Sequence, residues 1–576
     1  ALSSIAYANQ EIYLGLAVAG WVGLNYALPI ALAIAALLAI LTLSYSQTIL
    51  AYPSGGGSYT VAKENLGRLP GLIAAAALLI DYVLTAAVSL TAGIAAIASA
   101  FPILWPHRVG LALLLLALLT LINLRGLRET GTLIAIPVYL FVGAYLLMIG
   151  YGFARLLIEG AGPIPAAALP SAEPVTLFLI LHTFSSGCTA LTGVEAISNG
   201  VTIFRKPETR NARRTLLVMA CLMGTLLLGS ITLTQSFGVV AGPQETILSA
   251  LARRLLGSGP AYVFVQVATL LILLVAANTS YVDFPRVANL LARDRCLPHQ
   301  LSNLGDRLVY ANGILLLSGA VAVLIIGFGG DSHALIPLFA VGVFLAFTLS
   351  QSGMVTHWWR ERGRGWRLKA FFNGLGALTT ALTLVIVSIS KFLDGAWLVG
   401  VLIILGVFAF HAIATHYRRL GPQLSLHGLE PGLHRPTSQR VVLALSGVHR
   451  GVLNALEFAC SISDDVTALY VELDPAATVH VREQWAVWGQ GVPLVVVPSP
   501  YRSVVGPILD YLEQTDQAHA DGQQAVLVLP EFVPRHWWEN LLHNQTAWLI
   551  RLALIYQRRR YASGRVIVDV PFHLRA

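Results

Sequence analysis

The stretch LLIDYVLTAAVSL, Leu78 to Leu90, carries a carboxylate inside an apolar run. Asp81, Thr85 and Ser89 recur every four residues, so on a helix they fall along one face, with Tyr82 beside them. An Asp at the centre of a membrane helix costs roughly 2.5–3.5 kcal/mol on insertion scales. Two readings fit the pattern. One is a polar seam between helices, with a protonated Asp81 bonded to a neighbour. The other is a stripe of oxygen ligands facing a cavity, where carboxylate and hydroxyl oxygens replace the hydration shell of a cation.

A second polar cluster interrupts an apolar span. LILHTFSSGCTALTGVEAISNGV contains Ser185, Ser186, Gly187, Cys188, Thr189, Thr192 and Gly193, then Glu195. Residues of this kind let a transmembrane helix unwind at mid-depth, which is tolerated only where the backbone is buried in protein or lines a cavity. Carbonyls and half-helix ends freed there coordinate ions or substrate. A Gly/Ser motif for close helix packing is the plainer reading. Glu195, three residues after Thr192 and so on the same side, argues against it. The opening segment ALSSIAYANQEI, with Ser3, Ser4, Tyr7 and Glu11, reads as the second half of a broken first helix. Tyr7 either offers oxygen or ring to a cation or sits in an interfacial aromatic belt.

These residues must be held by membrane helices. The chain has 576 residues, 56% hydrophobic and only 11% charged, with mean hydropathy +0.71. A soluble domain carries about a quarter charged residues, so the expected solvent is lipid. Apolar spans fall at 8–20, 22–49, 71–103, 110–124, 132–157, 174–201, 214–237, 259–290, 312–328, 333–353, 370–390 and 395–416. Lys and Arg concentrate in alternate loops, 18 against 5, which places VAKENLGRL, NLRGLRET, FRKPETRNARRT, the segment Arg286 to Arg307 and RERGRGWRLK in the cytoplasm. The net charge of +8 therefore marks membrane topology rather than nucleic acid. The four scattered cysteines suggest neither a disulfide framework nor a zinc site.

Three segments follow: a transmembrane domain at 1–418 of about twelve helices, a Pro/Gly linker at 419–438 and an α/β domain at 439–576. In the last, RVVLALSGV, DVTALYVEL, VPLVVVPSP, QAVLVLPEFV and RVIVDVPF read as strands. GVLNALEFACSI, TVHVREQWAVWG, SVVGPILDYLEQT and Trp537 to Gln557 read as helices between them. This alternation predicts a parallel sheet, on the cytoplasmic side by loop parity. Other motifs carry less. GGGS at 55–58 lacks the Lys-Ser/Thr of a phosphate loop. HWW at 357–359 and HWWEN at 536–540 read as aromatics of the core or interface. NTSYVDF, Asn278 to Phe284, reads as a gate or helix terminus ending its span. No nucleophile, metal spacing or cofactor loop points to an enzyme, and no cofactor is expected.

AYPSGGGSYTVAKENLG resembles the P-x-x-G-G-x-Y signature after the second helix of the amino acid–polyamine–organocation superfamily. GVEAISNGVTIFRKPETRNARRT resembles its sixth helix and basic loop. NTSYVDFPRVANLLARDRCLP and LIPLFAVGVFLAFTLSQSGMVTHW resemble, more narrowly, the KimA-type transporters of the potassium uptake permease group. The resemblance implies a LeuT-like five-plus-five inverted repeat with helices one and six discontinuous, two further helices, and a universal-stress-protein-like cytosolic domain. It implies a bacterial multi-pass protein of the cytoplasmic membrane that takes up potassium by proton symport. It also implies that Tyr7, Asp81, Tyr82, Thr85, Ser89, Thr192 and Glu195 line the path, with Glu195 carrying the proton and Asp81 its rival. The family places an Asp before ALSS, so the chain is expected to be truncated within helix one. It places Tyr where Phe339 stands. For the α/β domain it implies homodimerisation and a cyclic dinucleotide regulator, with a ligand-free dimerisation module as the alternative. A proton-coupled amino acid permease and a transport-inactive sensor are the competing functions.

Overall fold

The computed structural model describes residues 2–53, 55, 57–126, 131–160, 174–242, 244–303, 309–423, 439–500, 503–519, 523–533, 545–561 and 564–573. It divides into two compact units, Ala1–Ser425 and Leu426–Ala576.

The first unit is entirely helical among the described residues. A 3-10 turn, Leu2–Ser4, leads into α1 (Ile5–Ala17), followed by α2 (Gly20–Leu24), α3 (Ala27–Ala51), α4 (Ser58–Leu66) and α5 (Arg68–Ala100). Then come α6 (Arg108–Leu124), α7 (Gly131–Glu159), α8 (Leu177–Gly187) and α9 (Val194–Asn199). The unit continues through α10 (Glu208–Ser236), α11 (Ile247–Leu256), α12 (Pro260–Arg293) and α13 (Ala311–Gly327). It closes with α14 (Ser332–Glu361), α15 (Trp366–Ser390) and α16 (Trp397–Gln423). Ten helical stretches among the described residues are long and apolar enough to cross a membrane, with α13 a shorter apolar helix beside them. Their outward faces confirm the solvent: Leu147 is 76% exposed and Leu378 68%, a disposition water would penalise and lipid accepts.

The expected unwinding in the sixth span is present. α8 ends at Gly187, a 3-10 turn covers Cys188–Leu191, Thr192 is extended, and Gly193 takes φ 85° before α9 begins. Only glycine adopts that conformation without Cβ strain. Gly187 serves a different need, because a Cβ there would lie 2.6 Å from Ile12 Cγ1 of α1. α1 and the broken sixth span can therefore touch side chain to backbone. One expectation is corrected. Asn278 to Phe284 lies inside the continuous α12, not at a terminus, with Pro285 accommodated in the next position. Within it, Asn278 Oδ1 accepts from Asn123 Nδ2 at 2.7 Å.

The second unit holds five parallel strands: β1 (Val441–Leu445), β2 (Val466–Glu472), β3 (Leu494–Pro498), β4 (Val526–Val533) and β5 (Ile567–His573). Their order is β3-β2-β1-β4-β5. The central strand β1 is buried throughout, as a strand covered on both faces must be. Val441, Leu443 and Leu445 pack with α17 (Arg450–Ile462) and α18 (Pro475–Trp488). Val442 and Ala444 pack with α19 (Val505–His519) and α20 (Gln545–Tyr561). The HWWEN motif at 536–540 and most of the linker lie outside the described residues.

Candidate functional site

Asp81 and Glu195, far apart in sequence, border one small cavity of about 80 Å³. α5 contributes Asp81, Tyr82 and Thr85; the sixth-span break contributes Thr192 and Glu195; α1 contributes Tyr7. The geometry explains why each element is shaped as it is. Thr192 and Glu195 reach the cavity from either side of the Gly193 turn, not along one helical face. The Thr192 hydroxyl donates to Thr189 O at 3.0 Å, so Tyr7 Oη donates to Thr192 Oγ1 at 3.3 Å. This bond ties α1 to the break directly at the cavity. The Asn199 Nδ2 donates to Tyr82 Oη at 2.9 Å, tying the end of α9 to α5.

Asp81 Oδ1 is buried with no hydrogen-bond partner among the described residues. A native structure seldom leaves such a group unmet unless a ligand, ion or water completes it. Glu195 Oε1 accepts the Ser58 backbone N–H at 2.9 Å, one of the unpaired donors opening α4. The carboxylate thus faces the cavity and also holds a helix N-terminus, where negative charge is favoured. Gly57 permits this approach, because a Cβ there would stand 2.5 Å from Asn199 Oδ1. The glycine-rich loop therefore seats α4 against the broken helix. Tyr59 Oη then donates to Asp294 Oδ2, and Lys63 Nζ approaches the same oxygen at 2.6 Å, fastening α4 to the end of α12.

Not every expected residue reaches the site. Ser89 is buried on α5 but does not line the cavity; two helical turns carry it about 12 Å beyond Asp81. Phe339 is fully buried on α14, one turn from the cavity-lining Val343, and packs among apolar side chains. The lining also includes Ser3, Thr279 and Asp283, which the sequence offered only as part of the polar opening segment and of the stretch read as a gate or helix terminus. For Asp283 a signal was available: a carboxylate inside the 259–290 span, four residues after Thr279.

A larger cavity of about 470 Å³ lies on the other side of Tyr7, which lines both. Its walls include Trp105, Glu245, Thr246, Asp331 and His333, residues of the loops poor in Lys and Arg. Beside it, His333 Nδ1 meets Glu11 Oε1 of α1 at 2.5 Å.

Residues 2–415 match the family model for amino acid permeases, and residues 437–572 match that of the KimA potassium transporter C-terminal domain. Potassium transporter KimA of Bacillus subtilis (strain 168) is 42% identical over 579 residues, covering 100% of this chain and 94% of that protein. The chain belongs to the KimA potassium transporter family. It is a multi-pass bacterial membrane transporter, not an enzyme, with the amino acid permease fold and a C-terminal parallel α/β domain. The low-affinity putrescine importer PlaP of Escherichia coli (strain K12) is 25% identical over 370 residues, 60% of this chain and 77% of that one. A solved manganese transporter of Eremococcus coleocola aligns at TM-score 0.37 and 13% identity, covering 74% of this chain and 94% of that one.

Proposed function

We propose that this KimA-family chain takes up potassium ions by proton symport across the cytoplasmic membrane. The observation that carries the reading is the charge of the small cavity. Asp81, Glu195 and Asp283 line it, and no Lys, Arg or His does among the described residues. A zwitterionic amino acid needs a donor for its α-carboxylate, and three carboxylates repel one. A bare monovalent cation needs oxygen ligands of moderate field strength, and Tyr7, Tyr82, Thr85 and Thr192 supply hydroxyls beside the carboxylates. A volume of about 80 Å³ holds a few water-sized particles, enough for an ion with part of its hydration.

In this reading the ion enters from the larger cavity, passes Tyr7 and rests against Asp81, while Glu195 carries the coupled proton. Protonation of Glu195 weakens its hold on the Ser58 N–H, and so on α4, which is fastened to α12. The proton state of the site is thereby linked to the side of the protein whose loops carry most of the Lys and Arg. The C-terminal α/β domain lies in the cytoplasm, dimerises the protein and binds a regulatory ligand, a cyclic dinucleotide, at the carboxyl ends of its strands, where open parallel sheets bind ligands.

The test is uptake into proteoliposomes holding the full chain, with and without an inward proton gradient. Potassium uptake that rises with the gradient supports the reading. Uptake of an amino acid or a diamine with no potassium flux refutes it.

A further inference from the structure

Asp283 has no role in the reading above beyond its charge, yet its placement is specific. It lines the small cavity from α12, one helical turn beyond Thr279, which lines it too. Neither a hydrogen bond nor an ion pair engages its carboxylate among the described residues. Arg286, three residues on, acts on it electrostatically but is engaged elsewhere: its Nη2 donates to Thr202 Oγ1 at 3.3 Å, just past the broken helix. Asp283 lies about 15 Å along α12 from Arg293, whereas Asp81 lies about 20 Å along α5 from Arg68. Both reference residues belong to the loops rich in Lys and Arg, so Asp283 lies nearer that end of its helix than Asp81 does.

The charge balance gives this position a purpose. With the coupled proton on Glu195, one monovalent cation between Asp81 and Asp283 leaves one negative charge in a medium that penalises an unpaired charge heavily. The cavity is therefore built to receive positive charge at more than one place in sequence. Asp81, with an oxygen that lacks a partner among the described residues, is the outer place. Asp283 is the inner one, with a guanidinium waiting three residues further along the same helix.

We propose that Asp283 is an inner relay residue, which takes the dehydrated cation from Asp81 and releases it toward the cytoplasm when Arg286 leaves Thr202 and replaces the ion as the counter-charge. This deepens the potassium reading and rests on it. A relay residue governs the rate of passage more than the first binding of the ion, so binding and turnover should separate.

The experiment compares full-length wild type, Asp283→Asn, Asp283→Glu and Arg286→Gln, using potassium chloride as the probe. Potassium-dependent thermal stabilisation in detergent reads binding, and initial uptake in proteoliposomes reads turnover. For Asp283→Asn we expect half-stabilising potassium within about threefold of wild type and uptake lowered about tenfold or more, with Asp283→Glu recovering most of the rate. Arg286→Gln should lower both the rate and the KM, because the ion is held longer. That arm stands even if Asp283→Asn fails to fold. Wild-type uptake by Asp283→Asn, loss of its potassium stabilisation, or an unchanged KM in Arg286→Gln each overturns the relay. A wild-type chain that binds and moves no potassium overturns the potassium reading and the relay with it.

Discussion

Asp81→Asn separates the apo protein from its ion-bound state. The amide keeps the shape of the side chain and removes the charge. In the apo protein Asp81 Oδ1 is buried and unpartnered, a condition that costs about 1–3 kcal/mol for a polar group and more for a charged one. The variant should therefore be at least as stable as wild type without potassium. With potassium the order reverses. Wild type at 100 times its Kd gains about 2.7 kcal/mol from binding. A full charge about 4 Å from the ion contributes about 4 kcal/mol at an effective dielectric of about 20; the amide oxygen recovers part of it, so the variant binds on the order of 100-fold more weakly. At the same potassium concentration the variant then gains only about 0.4 kcal/mol. The assay is thermal unfolding of the full chain in detergent, titrated with potassium chloride against choline chloride. An apo variant destabilised by more than about 1 kcal/mol would reveal a satisfied structural carboxylate. A variant that keeps the full potassium shift would refute the assignment of Asp81 to the ion.

Glu195→Gln keeps an oxygen for the Ser58 N–H and loses the titrating group. It should fold with a cost of at most about 1 kcal/mol, and its uptake should no longer respond to external pH. Glu195→Ala removes the acceptor as well and should cost about 1–3 kcal/mol, read as a lower melting temperature. Gly57→Ala places a Cβ 2.5 Å from Asn199 Oδ1. It should destabilise by about 1–3 kcal/mol and lower uptake, because displacing the Asn199 side chain disturbs its bond to Tyr82; unchanged uptake would show the contact to be incidental. In the α/β domain, burial lowers the pKa of His449 from its ordinary value of 6.5. Its neutral Nδ1 accepts the Val452 N–H at 3.4 Å at the start of α17. The folded state therefore binds the proton less readily than the unfolded one, and stability should be full above pH 6.5 and fall as pH drops below it. Hydrogen–deuterium exchange over residues 450–462 of the full chain should rise accordingly, and His449→Ala should remove the pH dependence.

Much of this site is legible in the sequence because membrane chemistry is unforgiving. Asp81 and Glu195 stand out as carboxylates in apolar runs, and Thr192–Gly193 stands out as a place where a helix can unwind. The i, i+4 rule that groups Asp81 with Thr85 also groups Ser89, and there it overreaches. It describes direction around the helix axis but not depth, and the cavity spans only the first part of that stripe. Asp283 escaped for the opposite reason. The polar run NTSYVDFP, with a proline at its end, resembles a helix terminus, yet α12 continues through Pro285, with Asn278 bonded to Asn123 and Tyr281 to Thr120 of α6. In the α/β domain, alternation alone located the strands, and the opposed packing of Val441 and Val442 follows from the period of two.

What no local pattern could reveal is that Tyr7 stands between two cavities of very different size. That position turns separate observations into one mechanism. α1 is held at Tyr7 by Thr192, on the break of the sixth span, and at Glu11 by His333 of α14. The break in turn holds α4 through Glu195 and α5 through Asn199. A cation that draws Tyr7 Oη toward itself competes with the Thr192 bond and so loosens the contact between α1 and the broken sixth span. A proton on Glu195 loosens the next contact, to α4. The order of these two events is set by geometry, since the larger cavity meets Tyr7 before it meets Glu195. Ion arrival should therefore precede release of α4, and a Tyr7→Phe variant, which lacks the Thr192 bond, should bind the ion yet lose that order. In such a variant, exchange at the Ser58–Leu66 amides should rise without potassium, whereas in wild type it should rise only with it.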